Sequence, residues 1–425
     1  MLIYYFLSIT LCSCSELFED YYEKADNFIK NMTLEQKVSQ MFFPQMTPDP
    51  SSHYEDISTI TPGGYLFFAY NFRGNETDIK NYIYHMQSLS KKAIGLPLGV
   101  LVDEEGGIVT RVSYHQRDEP FPSPQSIYNE SGIEGILKID QEKRDLLRKF
   151  LVNVNLAPVA DISYNPEDMI YSTTLGRNAT ITADYIAQDV ESYVNDNFTC
   201  CAKHFPGYGN NSDSHIDVTR DNRSYETFLN EDFLSFKAAI EKKIPMILVA
   251  HNVVKCKDPI YPASLSKTWN NILRNDLNFS GLILTDDLSM GAITKFKSNE
   301  SVAVLAVKAG VDILLTSKYK TQRQEVIDAV KSGNISEEII NKACRRIIAW
   351  KFQYLKDYPK YEEPKEPKDE DTPKDDNTTL IAVLSVLGGL LVIGGIVFLF
   401  IYCQKKKTNT FSDSDEKMRI LADIK

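Results

Sequence analysis

The chain has 425 residues, a formal net charge of −11 and 25% charged residues. This length suits one large barrel domain or two ordinary domains, and an acidic chain with no basic patch interleaved with aromatics argues against nucleic acid as a partner. The seven cysteines do not form a disulfide framework, and the adjacent pair Cys200 and Cys201 lacks the spacing of a zinc chelate, so no metal site is expected.

Residues 2–12 are apolar and aromatic, and Cys12, Ser13 and Cys14 follow as a small-residue stretch suited to signal peptidase. Residues 1–15 therefore read as a signal peptide, although the usual basic n-region is missing. Residues 16–357 alternate short apolar runs with amphipathic stretches, the pattern of an α/β protein with a parallel sheet. Eight strands are predicted, at 40–43, 65–70, 98–103, 152–158, 199–204, 246–251, 282–286 and 311–316. Between them lie predicted helices at 77–93, 140–150, 181–195, 225–242, 267–277, 301–309 and 322–331, and a last one at 336–354 opens on a Ser336 N-cap. Eight strands with intervening helices point to a (β/α)8 TIM barrel, with a doubly wound sheet as the alternative architecture.

Residues 358–379 are rich in proline, lysine and acid and read as an extended stalk. Residues 380–402 are uncharged and long enough to cross a bilayer as one transmembrane helix, with Lys405, Lys406 and Lys407 marking the cytosolic side of a 403–425 tail. The expected protein is thus a single-pass type I membrane protein with its main domain extracellular or luminal, at a cell surface or in a lysosome-like compartment. Sequons at Asn31, Asn75, Asn129, Asn178, Asn197, Asn222, Asn278 and Asn334 agree with that route, while the one at Asn210 is expected to stay unmodified because a glycan there would crowd the candidate site. Of the cysteines, Cys200, Cys201, Cys256 and Cys344 remain outside, with room for one or two disulfides.

Chemistry-bearing residues collect where the predicted strands end. Asp103, Lys203 with His204, His251 and Asp286 each close an apolar run, which is where barrel enzymes place their working groups. Lys203 and His204 lead into a loop carrying Gly207 and Gly209, and Asp213 stands two residues before His215. Asp-x-His on a loop suits an oriented proton-transfer pair, the carboxylate holding one ring nitrogen while the other faces substrate. Asp103-Glu-Glu-Gly-Gly places carboxylates beside glycines that would let backbone approach a ligand, with Arg111 eight residues after Asp103. Of Asp286 and Asp287, one carboxylate could be a nucleophile and the other a helix N-cap. Ser264 or Ser266 reads as another cap.

These residues carry a resemblance. Met32-Thr-Leu-Glu-Gln-Lys-Val-Ser-Gln-Met-Phe, Asp103-x-Glu-Gly-Gly, Lys203-His-Phe-Pro-Gly, Asp213-Ser-His, Phe279-Ser-Gly, Thr285-Asp-Asp-Leu-Ser-Met and Ala309-Gly-Val-Asp resemble glycoside hydrolase family 3, within it the single-domain β-N-acetylglucosaminidases. The resemblance implies a retaining two-step hydrolysis of terminal β-linked N-acetylglucosamine from glycans or muropeptides, with Asp286 as nucleophile and His215, oriented by Asp213, as acid and then base. It further implies that Asp103, Arg111, Lys203 and His204 bind sugar hydroxyls and that no cofactor is needed. Two departures stand out. Thr173 occupies the position of a sugar-binding arginine, with Arg177 close by as a candidate substitute. The loop from Lys203 to His215 is one residue short, with Tyr208 in place of a common histidine. A phosphorylase acting on GlcNAc glycosides, a β-glucosidase of the same fold and a decayed surface lectin or adhesin remain the competing functions.

Overall fold

Residues 16–356 are described by a computed structural model. The chain divides into a unit of residues 1–361 and a second of residues 362–425. The signal peptide at 1–15, the stalk at 358–379, the membrane span at 380–402 and the tail lie outside the described residues. Among the described residues no helix is long and apolar enough to cross a membrane.

The architecture is an α/β fold around a curled parallel sheet. Six strands form one continuous run: β2 (Gly64–Leu66), β3 (Gly99–Val102), β4 (Val154–Asn155), β5 (Thr199–Phe205), β6 (Met246–Val249) and β7 (Leu282–Thr285). β1 (Phe42–Pro44) pairs in parallel with β8 (Leu314–Thr316), so the first and last strands are neighbours. Single parallel bridges, Gln45 to Leu66 and Leu284 to Ile313, join this pair to the two edges of the six-stranded run. Each predicted strand is present but most are shorter than expected. A separate parallel ribbon, Arg220–Asp221 with Val253–Val254, links the loops that follow β5 and β6.

Helix signals match the local chemistry at several ends. Asn178 accepts a bond from the Ile181 N–H to start helix Ala179–Asn195, and Ser336 accepts one from Glu338 to start Glu337–Tyr354. Helix Glu19–Ile29 and helix Leu34–Gln40, the latter opened by a capping box of Thr33 and Gln36, were not anticipated. The helix expected at 140–150 begins far earlier, at Pro124, with a break at Gly132. The stretch 225–242 forms two helices, Tyr225–Asn230 and Asp232–Glu241, parted at Glu231. Disulfides were allowed for, yet Cys200, Cys201, Cys256 and Cys344 are all free thiols, three of them buried in the core.

The last helix closes the end of the sheet opposite the candidate site. Trp350 is fully buried and its indole N–H donates to Thr199 Oγ1 at 3.0 Å, at the start of β5. Asp312, before β8, accepts from the Ile283 N–H at 2.9 Å and ion-pairs with Arg274 and with Arg346 of the last helix, the latter at 3.0 Å. One buried carboxylate thus ties the final helix to β7 and β8. Asp312→Ala leaves two guanidinium groups uncompensated, and we expect it to lower stability by about 3 kcal/mol in urea unfolding.

Next to Trp350, Lys351 is buried and donates to Gln40 Oε1 at 2.8 Å. Burial pulls its ammonium pKa down to about 7, against a weaker opposing effect of Cys344. The unfolded chain therefore holds more protons than the folded one between pH 7 and the ordinary lysine range near 10.5, so this residue's contribution to stability rises with pH across that window and is least below it. We expect the melting temperature of wild type minus that of Lys351→Met to be more positive at pH 9 than at pH 6. Equal differences at both pH values would show that Lys351 is not neutralised by folding.

Candidate active site

Lys203 ends the regular part of β5, whose register against β6 shifts between Lys203 and Phe205. Its ammonium lies between two carboxylates from the β3 loop, Asp103 Oδ1 at 2.5 Å and Glu105 Oε1 at 2.7 Å. Burial alone would favour the neutral amine, but the two carboxylates outweigh it and raise the pKa, so Lys203 stays charged. Glu104, between these two acids, is buried on the other side of the chain. It accepts the backbone N–H groups of Arg111 at 2.8 Å and Val112 at 2.6 Å, and the Ser113 hydroxyl. This folds the β3 loop back and leaves Arg111 buried, with its guanidinium 5.9 Å from the Phe68 ring centre. The diglycine serves that packing: a Cβ on Gly106 would lie 2.3 Å from Pro122 O.

His204 is held by a residue the sequence reading passed over. Asp161 Oδ2 contacts His204 Nδ1 at 2.8 Å and accepts its backbone N–H at 3.1 Å, while Oδ1 accepts the Tyr208 N–H at 2.6 Å. Burial disfavours a charged imidazole, yet Asp161 outweighs it and the pKa of His204 is raised. The available signal was a lone acid inside the apolar run Leu156-Ala-Pro-Val-Ala-Asp-Ile162.

From Phe205 the chain enters the loop with two glycines. Gly207 has φ 129° and Gly209 φ 59°, and a Cβ would lie 1.9 Å from Asp232 Oδ1 at the first and 2.5 Å from Arg223 Cζ at the second. The glycines therefore make room for Asp232 and Arg223. Arg223 bonds Asp221 at 2.8 Å, Asp232 at 2.9 Å and the Gly207 carbonyl at 2.8 Å, bracing the loop from below. Burial pushes the Asp232 carboxyl up to about 7 despite the opposing Arg223 charge.

Asp213 Oδ1 accepts the His215 backbone N–H at 2.9 Å and contacts His215 Nδ1 at 2.7 Å. A carboxylate can only accept, so Nδ1 carries the proton and Nε2 is left to act. The same loop is laced to the one after β7: Gly291 N–H donates to His215 O at 2.9 Å and Ala292 N–H to Ser214 O at 3.0 Å. These bonds bring Asp213 and His215 beside the loop that starts with Asp286.

Asp286 follows β7, with its N–H on Val249 O at 3.2 Å and its Oδ1 accepting the Asp287 N–H at 2.8 Å. Burial would raise its pKa. The nearby imidazoles of His251, His204 and His215 and the Asp287 N–H oppose this, and the net shift is downward. Asp287 is not the helix cap expected of it. Its carboxylate is buried, accepts the Ser289 N–H at 2.7 Å and the Gln45 side-chain amide, and so braces the turn. Helix Gly291–Thr294 instead starts at Met290 without a side-chain cap.

His251 is fully buried, and burial lowers its pKa. Its Nε2 lies 3.0 Å from the Asp287 carbonyl and its Nδ1 2.7 Å from Ser264 Oγ. Because a carbonyl only accepts, Nε2 bears the proton and Nδ1 accepts from the serine. Ser264 thus orients this histidine, while Ser266 caps helix Lys267–Asn271. Arg177 is committed to the helix Pro124–Lys149: it donates to Asn129 and lies 4.9 Å from the Tyr128 ring centre. Thr173 lines a small cavity of about 10 Å³ with Glu105, Lys143 and Asp189.

The structure gathers charged side chains from the ends of β3, β5 and β7, and comparison with known proteins gives that gathering a lineage. Residues 33–350 match the glycosyl hydrolase family 3 N terminal domain. An uncharacterized secreted glycosyl hydrolase of Arthroderma benhamiae is 30% identical over 324 residues, 72% of this chain and 89% of the relative. A beta-hexosaminidase of Idiomarina loihiensis is 30% identical over 311 residues, 71% of this chain and 90% of the relative. The solved structure of a glycoside hydrolase family 3 beta-N-acetylglucosaminidase from Paenibacillus sp. str. FPU-7 superposes with a TM-score of 0.72 at 27% identity, over 81% of this chain and 66% of that one. With the family match spanning strands β1 to β8 and all the candidate residues, this chain belongs to glycosyl hydrolase family 3 and is a glycoside hydrolase.

Proposed function

We propose that this protein is a retaining exo-acting β-N-acetylhexosaminidase working on terminal β-linked N-acetylglucosamine. The observation that carries the reading is a carboxylate, Asp286, kept ionised by surrounding imidazoles and laced by backbone bonds to the loop of a tautomer-fixed His215. The beta-hexosaminidases among its relatives support the substrate class. In this reading Asp286 attacks the anomeric carbon while the bond to the leaving oxygen breaks and a proton on His215 Nε2 passes to that oxygen. The neutral imidazole then takes a proton from water as the water oxygen attacks the same carbon, and the Asp286 carboxylate is released. Asp103, Arg111, Lys203 and His204 hold the sugar hydroxyls, and Asp213 fixes the His215 tautomer. The fold that goes with it is a closed (β/α)8 barrel, supported by the two single bridges beside β1 and β8.

For location, we propose a domain of residues 16–357 held outside a membrane by a helix at 380–402. Among the described residues the asparagines of ten sequons, at 31, 75, 129, 178, 197, 210, 222, 278, 299 and 334, are exposed, and one relative is named as secreted.

The test is turnover of a chromogenic GlcNAc β-glycoside by residues 16–357, with and without inorganic phosphate. We expect free GlcNAc as the product in both cases and no turnover by Asp286→Asn. Sugar binding without turnover by wild type would establish the lectin reading, and GlcNAc 1-phosphate as product would establish a phosphorylase.

Acid–base catalysis of this kind contributes about 10² to 10⁴ in rate. We expect His215→Ala to lose kcat in that range on an unactivated substrate. The Asp286 pKa lies below the ordinary aspartate value of 3.8, so its ionisation should set no limb of the pH–rate profile above about pH 4. An acid limb that moved when His251 was replaced would contradict this.

A further inference from the structure

Tyr208 is 3% exposed, and its ring meets that of His204 edge-on, centres 5.9 Å apart. Its hydroxyl donates to Ser212 O at 2.9 Å and accepts the Ser214 N–H at 2.7 Å. Those two backbone groups flank Asp213, the residue that orients His215. We propose that Tyr208 is a positioning residue for proton transfer, its hydroxyl clamping the chain on both sides of Asp213 and so holding the Asp213 and His215 pair in place against the Asp286 loop.

The clamp has a firm base. Asp161 Oδ1 takes the Tyr208 N–H at 2.6 Å while its Oδ2 takes the His204 backbone and ring, so one carboxylate fixes the foot of the tyrosine to the sugar-side histidine. The Tyr208 carbonyl accepts from Asn211 Nδ2 at 2.6 Å, and the same amide donates to Asp221 at 2.7 Å, itself pinned by Arg223. The two bonds of the hydroxyl differ in weight. Ser212 O also receives the Thr219 hydroxyl at 3.1 Å, whereas the Ser214 N–H donates to the tyrosine oxygen. Loss of the hydroxyl therefore acts mainly at Ser214, the residue between Asp213 and His215. A reacting group displaced by about 1 Å can lose 10²-fold in rate.

This inference rests on His215 being the acid/base, and its test separates the two claims. The kcat/KM of wild type, Tyr208→Phe and His215→Ala is measured on GlcNAc β-glycosides of dinitrophenol, which departs without protonation, and of phenol, which does not. We expect His215→Ala and Tyr208→Phe both to lose activity on the phenyl substrate, the latter by about 10²-fold, with little loss on the dinitrophenyl substrate. If His215→Ala lost both substrates alike, the acid/base reading would fail and take this inference with it. If His215→Ala were selective but Tyr208→Phe lost neither or both alike, the reading would stand and the clamp would be overturned. A general loosening of the fold lowers both substrates together and so cannot imitate the expected result.

Discussion

Removing a charged side chain from water costs several kcal/mol unless a partner and hydrogen bonds replace the lost hydration. This constraint orders the whole mouth of the sheet. Lys203 is buried because Asp103 and Glu105 flank it. His204 can be partly buried because Asp161 faces it, and Arg223 likewise because Asp221 and Asp232 do. Glu104 meets the same demand with backbone N–H groups and a hydroxyl instead of a cation. Each compensation joins two strand ends or two loops, so neutralising the charges also fixes the geometry between them. Asp286 is the exception that matters for chemistry, since imidazoles and one N–H favour its charge without an ion pair consuming it.

Much of this was legible in the sequence because strands and motifs are local. Apolar β-prone runs located all eight strands, and the strand-end rule placed Asp103, Lys203, His204 and Asp286 on one face. What escaped was whatever depends on a distant partner. Asp161 braces His204 across 43 positions, and Gln45 reaches Asp287 across 242. No window of sequence contains such a pair. Helix 225–242 failed for a different reason: its apolar periodicity continues through Glu231, but the backbone there leaves the helical region and starts a new axis. Cys200 and Cys201 were open to pairing by composition, yet they stand next to each other on β5 as buried core thiols.

The loop glycines answer a packing demand from charged neighbours. A Cβ on Gly207 would meet Asp232, and one on Gly209 would meet Arg223. The loop is therefore braced from beneath by charge and from within by Tyr208, not left slack. A proton donor on a loop has to be as well placed as one on a strand, because rate falls steeply with small displacement. Bonds from Gly291 and Ala292 to the loop's carbonyls complete the bracing by coupling it to the β7 loop.

The same charge arrangement bears on which acceptor the proposed intermediate would meet. A histidine acid/base, unlike a carboxylate, is neutral when it accepts a proton and does not by itself repel a phosphate. Its surroundings do. Asp103, Glu105, Asp161, Asp213 and Asp286 are gathered here against Lys203, His204 and Arg111, and the first two cations are already paired to carboxylates. Neither is left as a free positive site for an arriving dianion, and in a partly desolvated cleft the remaining carboxylates repel it more strongly than they would in water. Water carries no such penalty, and this is why the proposed reading is hydrolysis rather than phosphorolysis even though a histidine acid/base by itself would permit both.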